Sequence, residues 1–126
     1  MSGIDLELAG GRDRFRPGDD VAGAVQWRLE TEPERVEVRL FWYTEGKGTR
    51  DVGIVDRQSF DRPGTEAAQG FRLRLPEGPY SFSGRLISVR WAVEAVAEPA
   101  GEVARSEIAV SPTGSEVRLQ GGASVE

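Results

Sequence analysis

The sequence predicts an all-β fold, an immunoglobulin-like antiparallel β-sandwich of about seven or eight strands. Apolar residues recur at every second position through most of the 126 residues, and no segment shows a helical period. Turn signals rich in proline, glycine and aspartate separate these runs at intervals of about 10–15 residues. The length suits one domain with a single core. A β-barrel is the alternative, because it produces the same alternation.

The first third of the chain contains a strand, an extended segment and a longer strand. Apolar and acidic residues alternate over residues 4–8, and residues 14–16 continue in an extended conformation. Pro17-Gly18-Asp19-Asp20 is a turn signal, since proline presets φ, glycine accepts positive φ and aspartate binds nearby amides. Strict period two then runs over residues 21–29 and predicts a long strand with one buried face.

The remaining strands follow from the same alternation. They are expected at residues 36–43, 51–60, 71–75, 87–95 and about 103–110, with a hairpin loop at 44–50 and a stiff loop containing Pro76 and Pro79. Ser111-Pro112 ends the last strand. The domain is therefore placed at residues 1–112, and residues 113–126, small and polar, are expected to form a flexible tail.

Two blocks of the sequence resemble the arrestin fold family, especially the amino-terminal domain of the α-arrestins. The first runs from Phe71 to Val93 and contains Phe-Arg-Leu-Arg-Leu-Pro, then Pro-Tyr-Ser-Phe-Ser-Gly, then Ser-Val-Arg-Trp-Ala-Val. The second runs from Phe15 to Val25 and looks like the family's aromatic-x-Pro-Gly-acidic-x-Val-x-Gly-x-Val. Together they cover about a third of the chain in the family's order, which implies an arrestin-like sandwich.

The chain departs from the arrestin pattern in ways that limit what the resemblance implies. Arrestins have two such domains, whereas this chain has room for one. Lys47 is its sole lysine, so the lysine pairs of the phosphate-sensing arrestins are missing, as is the Pro-Pro-x-Tyr motif of α-arrestins. A compact, single-domain, arrestin-like protein of bacterial type is the expectation. Within the long strand that follows Pro17-Gly18, Gly23 suits a bend or a close backbone approach.

The composition excludes several kinds of catalytic site. With no cysteine and no histidine, the chain can form no Ser-His-Asp or Cys-His site and no cysteine-based metal site, and we expect no cofactor. A calcium site or an acid/base pair would have to use carboxylates such as Asp19, Asp20, Asp51, Asp56 and Asp61. Turn chemistry and solvated strand faces explain the same residues. The protein is therefore expected not to be an enzyme.

Two sets of arginines are the candidate partner-binding residues. Arg12, Arg14 and Arg16 alternate onto one side of an extended segment, and Arg72 and Arg74 do the same. If the two segments are neighbours, they form a surface suited to bidentate recognition of carboxylates or phosphates, and the hypothesis is that it docks an acidic partner peptide. A solvated face paired with the abundant glutamates is the alternative.

The aromatic residues divide into core and candidate surface. Trp27, Trp42 and Trp91 lie on the inward phase of their strands and are predicted to be core. Phe41 and Tyr43 lie on the opposite phase from Trp42. They either mark an interface or belong to a strand that is buried on both faces.

The predicted function is a cytoplasmic, non-enzymatic protein–protein interaction, adaptor or scaffold module. The net charge of -5 does not favour nucleic acid or anionic membranes, and no apolar run is long enough for a membrane span. Neither a secretory signal nor a disulfide is expected. A homodimer through sheet edges is a further expectation. The rivals are a carboxylate-only hydrolase, a carbohydrate-binding accessory module and a small-ligand carrier with a deep apolar cavity.

Overall fold

Almost all regular structure in the computed structural model is β-strand. It describes residues 3–46, 50–84 and 87–112, and the backbone of 117–118. Within these ranges the helical content is one short 3-10 turn, Ala9–Gly11. The strands are β1 (Gly3–Leu8), β2 (Arg14–Phe15), β3 (Asp20–Arg28), β4 (Arg35–Gly46), β5 (Val52–Asp61), β6 (Glu66–Arg74), β7 (Phe82–Ser83), β8 (Ile87–Glu98), β9 (Glu102–Val110) and β10 (Val117–Arg118).

The strands form two sheets that pack as a β-sandwich, which confirms the predicted fold class. The smaller sheet has the order β1-β3-β6, and all its pairs are antiparallel. The larger has the order β10-β7-β8-β4-β5, with β9 also paired to β8 and the short β2 parallel to β9. Seven strands have six or more residues, and the other three have two each. The strands form two separate sheets and not one closed sheet, so the fold is a sandwich and not the alternative β-barrel.

The core lies between the inward faces of the two sheets. Alternate residues of β3 and β6 face alternate residues of β4 and β8, as the period-two runs predicted. Trp91 is fully buried and donates its indole N–H to the Pro79 carbonyl oxygen at 2.8 Å. Trp27 is buried and bonds the Gly64 carbonyl at 3.0 Å, whereas Trp42 packs half-buried against the same core. Trp27 and Trp91 therefore belong to the core, as predicted, and Trp42 lies at its margin.

Two glycines have the roles that their sequence context predicted. Gly18 has a φ of 83° in the turn after Pro17, a conformation that side chains with a Cβ adopt rarely. Gly23 lies where β1, β3 and β6 meet, opposite Leu8 on one side and Phe71 on the other. A Cβ at Gly23 would collide with the carbonyl oxygen of Glu7. Of the two alternatives expected at Gly23, a bend or a close backbone approach, the structure has the close approach.

The main difference from the predicted elements concerns β6. The sequence indicated a strand over residues 71–75. In the structure β6 begins at Glu66, and it pairs with β3 along the full length of β3. Its first half contains Ala67, Ala68 and Gly70, so it has no strong apolar alternation to detect. The first half of β6 is a strand because its backbone pairs with the long strand β3, although its side chains show no strand pattern.

The predicted tail, 113–126, lies outside the described residues except for the backbone of 117–118, which pairs with β7. Likewise, residues 47–49 of the predicted 44–50 loop are outside them. In the part of the chain that is described, no helix is long and apolar enough to span a membrane.

Candidate functional site

The two arginine segments singled out in the sequence meet at one corner of the sandwich. The turn before β3 is tied to the end of β6, because Leu75 donates its N–H to the Asp19 carbonyl at 2.9 Å and Gly18 donates to the Pro76 carbonyl at 3.3 Å. Asp20 lies opposite Arg74 in the β3–β6 register. We call this the arginine corner: Arg12, Arg14, Arg16, Arg72 and Arg74 around Asp19 and Asp20.

Arg12 is held within the arginine corner by three contacts. Its Nη2 donates to Asp19 Oδ2 at 2.6 Å, and its Nε donates to the Arg14 carbonyl oxygen at 2.8 Å. The guanidinium carbon also lies 4.3 Å from the centroid of the Phe15 ring, a cation–π contact over a buried aromatic residue. Arg12 is thus engaged in fixing the turn and is a poor candidate for partner binding.

Arg72 is partly neutralised in a similar way, by the other aspartate of the turn. Its Nη1 lies 3.2 Å from Asp20 Oδ2, although both side chains stay largely exposed. Arg14, Arg16 and Arg74 have exposed side chains and make no ion pair with any described residue. The structure therefore brings Arg12, Arg16, Arg72 and Arg74 to the turn before β3, with Arg14 beside them in β2. Three of the five guanidinium groups make no ion pair with a described residue and can meet an external carboxylate.

The Asp19 carboxylate gives the arginine corner a definite pH dependence. The backbone N–H of Arg16 donates to it at 2.9 Å, and together with the Arg12 guanidinium this holds the Asp19 pKa below its ordinary 3.8. Because the folded pKa is depressed, the stabilisation is fully present above the unfolded value and disappears as the pH falls through the folded value. We expect Asp19→Asn to lower the melting temperature at about pH 7 and to have little effect at about pH 2. Thermal melts at both pH values measure this.

Asp5→Asn is the matched control for that experiment, because it removes an exposed carboxylate of β1 that lies outside the arginine corner. It should leave the melting temperature nearly unchanged at both pH values. An Asp19→Asn variant that is equally destabilised at both pH values would contradict an electrostatic role for Asp19.

Phe41 and Tyr43 do not form an open aromatic patch. Phe41 is only 6 % exposed, and Arg105 of β9 lies over both rings, 5.0 Å from each centroid. Tyr43 donates its hydroxyl to Glu107 at 2.9 Å. Partial burial first, and then this bond to a carboxylate, raise the Tyr43 pKa to about 12. Of the two interpretations, the geometry matches a strand buried on both faces.

An ion-pair ladder covers the rest of this outer face of the larger sheet. Glu37 is buried and accepts a bond from Arg39 Nε at 2.8 Å, while Arg35 and Arg57 lie within 4 Å of it. Bonds from Arg35 first, and then attraction to Arg39, lower the Glu98 pKa. Bonding to Glu37 in turn raises the Arg39 pKa. These arginines are satisfied internally, in contrast with those of the arginine corner.

Two exposed apolar residues of β5 escaped the sequence analysis. Val52 is 64 % exposed and Ile54 is 42 % exposed, and their cross-strand neighbours in β4 are Tyr43 and Phe41. The signal was present as the short alternation Val52-Gly53-Ile54. The rest of β5 is mostly charged and polar, which makes this alternation a weak signal. Val52 and Ile54 lie on the same outer face of the larger sheet as Tyr43 and Phe41, one strand nearer the edge of the sheet.

The carboxylates considered for a calcium site or acid/base pair are not brought together. Asp19 and Asp20 each bind an arginine, and Asp56 accepts backbone N–H groups from Arg57 and Arg74. Over the described ranges, no group of three or more acidic side chains is arranged to hold a metal ion. An open cavity of 740 Å³ at the end of the smaller sheet has a mixed lining that includes Asp5, Trp27, Arg28 and Glu66. It is neither deep nor mainly apolar.

Comparison with solved structures yields a clear likeness in fold. The chain superimposes on Spo0M, a sporulation control protein from Bacillus subtilis, with a TM-score of 0.63 and 21 % sequence identity over 87 % of this chain and 49 % of Spo0M. The fold is arrestin-like. The chain spans about half the length of Spo0M, and at this identity the likeness concerns the fold alone.

Other comparisons add little. A superoxide reductase (neelaredoxin) from Ignicoccus hospitalis matches with a TM-score of 0.44 and 16 % identity over 86 % of this chain and 80 % of that one, which is too weak to support an argument. No family model matches the chain. A search of curated proteins also returned no match.

Proposed function

We propose that this arrestin-like sandwich is a non-enzymatic interaction module that docks an acidic segment of a protein partner at the arginine corner. The observation that carries the proposal is the set of three exposed guanidinium groups, Arg14, Arg16 and Arg74, which make no ion pair with the described residues. Their backbones are fixed by the turn around Asp19 and by strand pairing. Arginines that are held close together bind carboxylates more strongly than they bind neutral polar groups.

The arrestin-like fold supports the non-enzymatic part of the proposal. Spo0M is a sporulation control protein. The two sequence blocks, Phe15–Val25 and Phe71–Val93, resemble the amino-terminal domain of the α-arrestins. The hydrolase and carbohydrate-binding alternatives have less support, because the Asp19 and Asp20 carboxylates bind arginines and Phe41 is covered by Arg105. Dimerisation through a sheet edge is part of the proposal. The cytoplasmic location and bacterial type remain predictions.

Charge reversal at Arg16 and Arg74 tests the proposed docking site. Neither side chain makes an ion pair within 4 Å in the described part of the fold, and attraction to Arg16 is the smallest of the causes that lower the Asp19 pKa, so Arg16→Glu/Arg74→Glu should fold. We expect the wild-type protein to bind a fluorescein-labelled octaglutamate peptide, and the double variant to bind it at least about tenfold more weakly. Fluorescence anisotropy titrations at low and high salt measure both, and salt should weaken wild-type binding.

Arg28→Glu is the matched control, because Arg28 is an exposed arginine of β3 at the end away from the corner and pairs only weakly with Glu66, at 3.4 Å. It should bind the peptide nearly as well as the wild type. Equal binding by the double variant and the wild type would exclude the arginine corner as the docking site.

A further inference from the structure

The outward edge of β5 presents unpaired backbone groups. β5 pairs with β4 on one side and with no other described strand. Thr44 donates its N–H to the Asp51 carbonyl at 3.0 Å, so the backbone groups of these two residues face each other. Backbone direction alternates along an antiparallel ladder. In the next pairs, Tyr43–Val52 and Phe41–Ile54, the groups therefore point away, and the N–H and C=O of Val52 and Ile54 face the free edge.

The neighbouring edge of β6 is closed, in contrast. Side chains of β5 cap it, since Arg74 donates its N–H to Asp56 Oδ2 at 2.9 Å and Arg72 donates to Gln58 Oε1 at 3.2 Å. Asp56 Oδ1 also accepts the N–H of Arg57 at 2.8 Å, which limits the open edge of β5 at that end. The available stretch is thus centred on Gly53.

The side chains on this stretch of β5 are apolar, which is unusual for a strand edge that is exposed to water. Natural edge strands carry charges, prolines or bulges that discourage pairing with another chain. Val52 and Ile54 are instead exposed apolar residues on the same face. A bulge in the β4–β5 pairing does occur, but it follows Ile54 and leaves the Val52–Ile54 segment regular.

We propose that β5 pairs antiparallel with β5 of a second copy of this chain, around a two-fold axis at Gly53. In that register Val52 of each copy lies opposite Ile54 of the other, and each such pair exchanges both of its backbone hydrogen bonds. The larger sheet becomes continuous across the dimer. This dimer specifies which sheet edge is used in the dimerisation that forms part of the proposed function, and it rests on the proposed function in that respect alone.

Self-complementarity selects a second copy as the occupant of this edge. A two-fold interface must match its own residues, and here the exposed apolar residues and the unpaired backbone groups both do so, since Val52 of one copy meets Ile54 of the other. Gly53 places no side chain at the axis, and its inner face is covered by the Trp42 indole.

Sedimentation equilibrium of the full chain over a wide concentration range tests the dimer. We expect a monomer–dimer equilibrium in the wild type and a dissociation constant raised at least about tenfold by Ile54→Lys, because a charge on an edge strand opposes pairing. Val103→Lys is the matched control. It replaces a valine of β9 that is 51 % exposed and lies away from this edge, and it should dimerise as the wild type does.

A cross-link tests the register directly. The chain has no cysteine, so the double variant Val52→Cys/Ile54→Cys should yield a covalent dimer on oxidation, whereas Val103→Cys should not. A wild type that stays monomeric at the highest concentration reached, or an Ile54→Lys variant that dimerises normally, overturns the proposal. The octaglutamate titration uses a different surface, so failure of this dimer and failure of the docking site are distinguishable.

Discussion

Replacing Trp91 by alanine is expected to lower the free energy of unfolding by about 3–5 kcal/mol, because it empties the centre of the core. Trp91 is 0 % exposed and lies in β8, between β4 and β9 in the larger sheet. The change also removes the indole N–H that binds the Pro79 carbonyl oxygen, which helps to fix the loop before β7. Urea denaturation followed by circular dichroism measures the loss.

Trp91→Phe separates the two contributions and guards against complete unfolding of the alanine variant. It keeps an aromatic ring in the core but leaves the Pro79 carbonyl without its donor, so a smaller loss of about 1–3 kcal/mol is expected. Tyr80→Ala is the surface control, since Tyr80 is a partly exposed loop residue. An alanine variant at position 91 as stable as the Tyr80→Ala variant would contradict the central place given to Trp91.

Gly23→Ala is expected to cost about 3 kcal/mol, although it adds a single methyl group. The new Cβ would overlap the Glu7 carbonyl oxygen and press on Leu8 Cα and Phe71 Cζ, both at 3.0 Å. Two of these three atoms belong to the backbone of β1, which cannot move without breaking its pairing with β3. The same denaturation experiment measures the effect.

Gly70→Ala is the matched control, because Gly70 lies opposite Ala24 in the same sheet and a Cβ there would come no nearer than 3.8 Å to the Gly23 carbonyl. Its stability should stay within about 0.5 kcal/mol of the wild type. If both alanine variants lost the same stability, a general strand effect of glycine replacement would explain the result, and the steric argument for Gly23 would fail.

Much of the fold could be predicted because strand phase is a local property. The alternation over residues 21–29 and 36–43 correctly placed the inward residues of β3 and β4. Pro17-Gly18 correctly predicted the turn that positions the arginine corner. The convergence of Arg12 and Arg72 on adjacent aspartates could not be predicted, because it depends on β3 pairing with β6, about 50 residues further along the chain.

The candidate site shows the same limit at Phe41. Its phase opposite Trp42 correctly assigned it to the outer face of the larger sheet, yet the phase alone could not tell exposure from burial. Arg105 and Glu107, which cover Phe41 and Tyr43, come from β9 across β8. Val52 and Ile54 are also outward residues, yet they stay exposed, because no other described strand pairs with β5 and covers them.

By itself, then, the sequence determined the β class, the order of the main strands and the inward or outward phase of most residues, since each depends on neighbours two positions apart. Only the tertiary structure decided which strands are adjacent, which arginines are neutralised and that the outer edge of β5 has no described partner. Those properties depend on contacts between residues far apart in the chain. The alternation of apolar and polar residues within one strand does not indicate which other strands lie beside it.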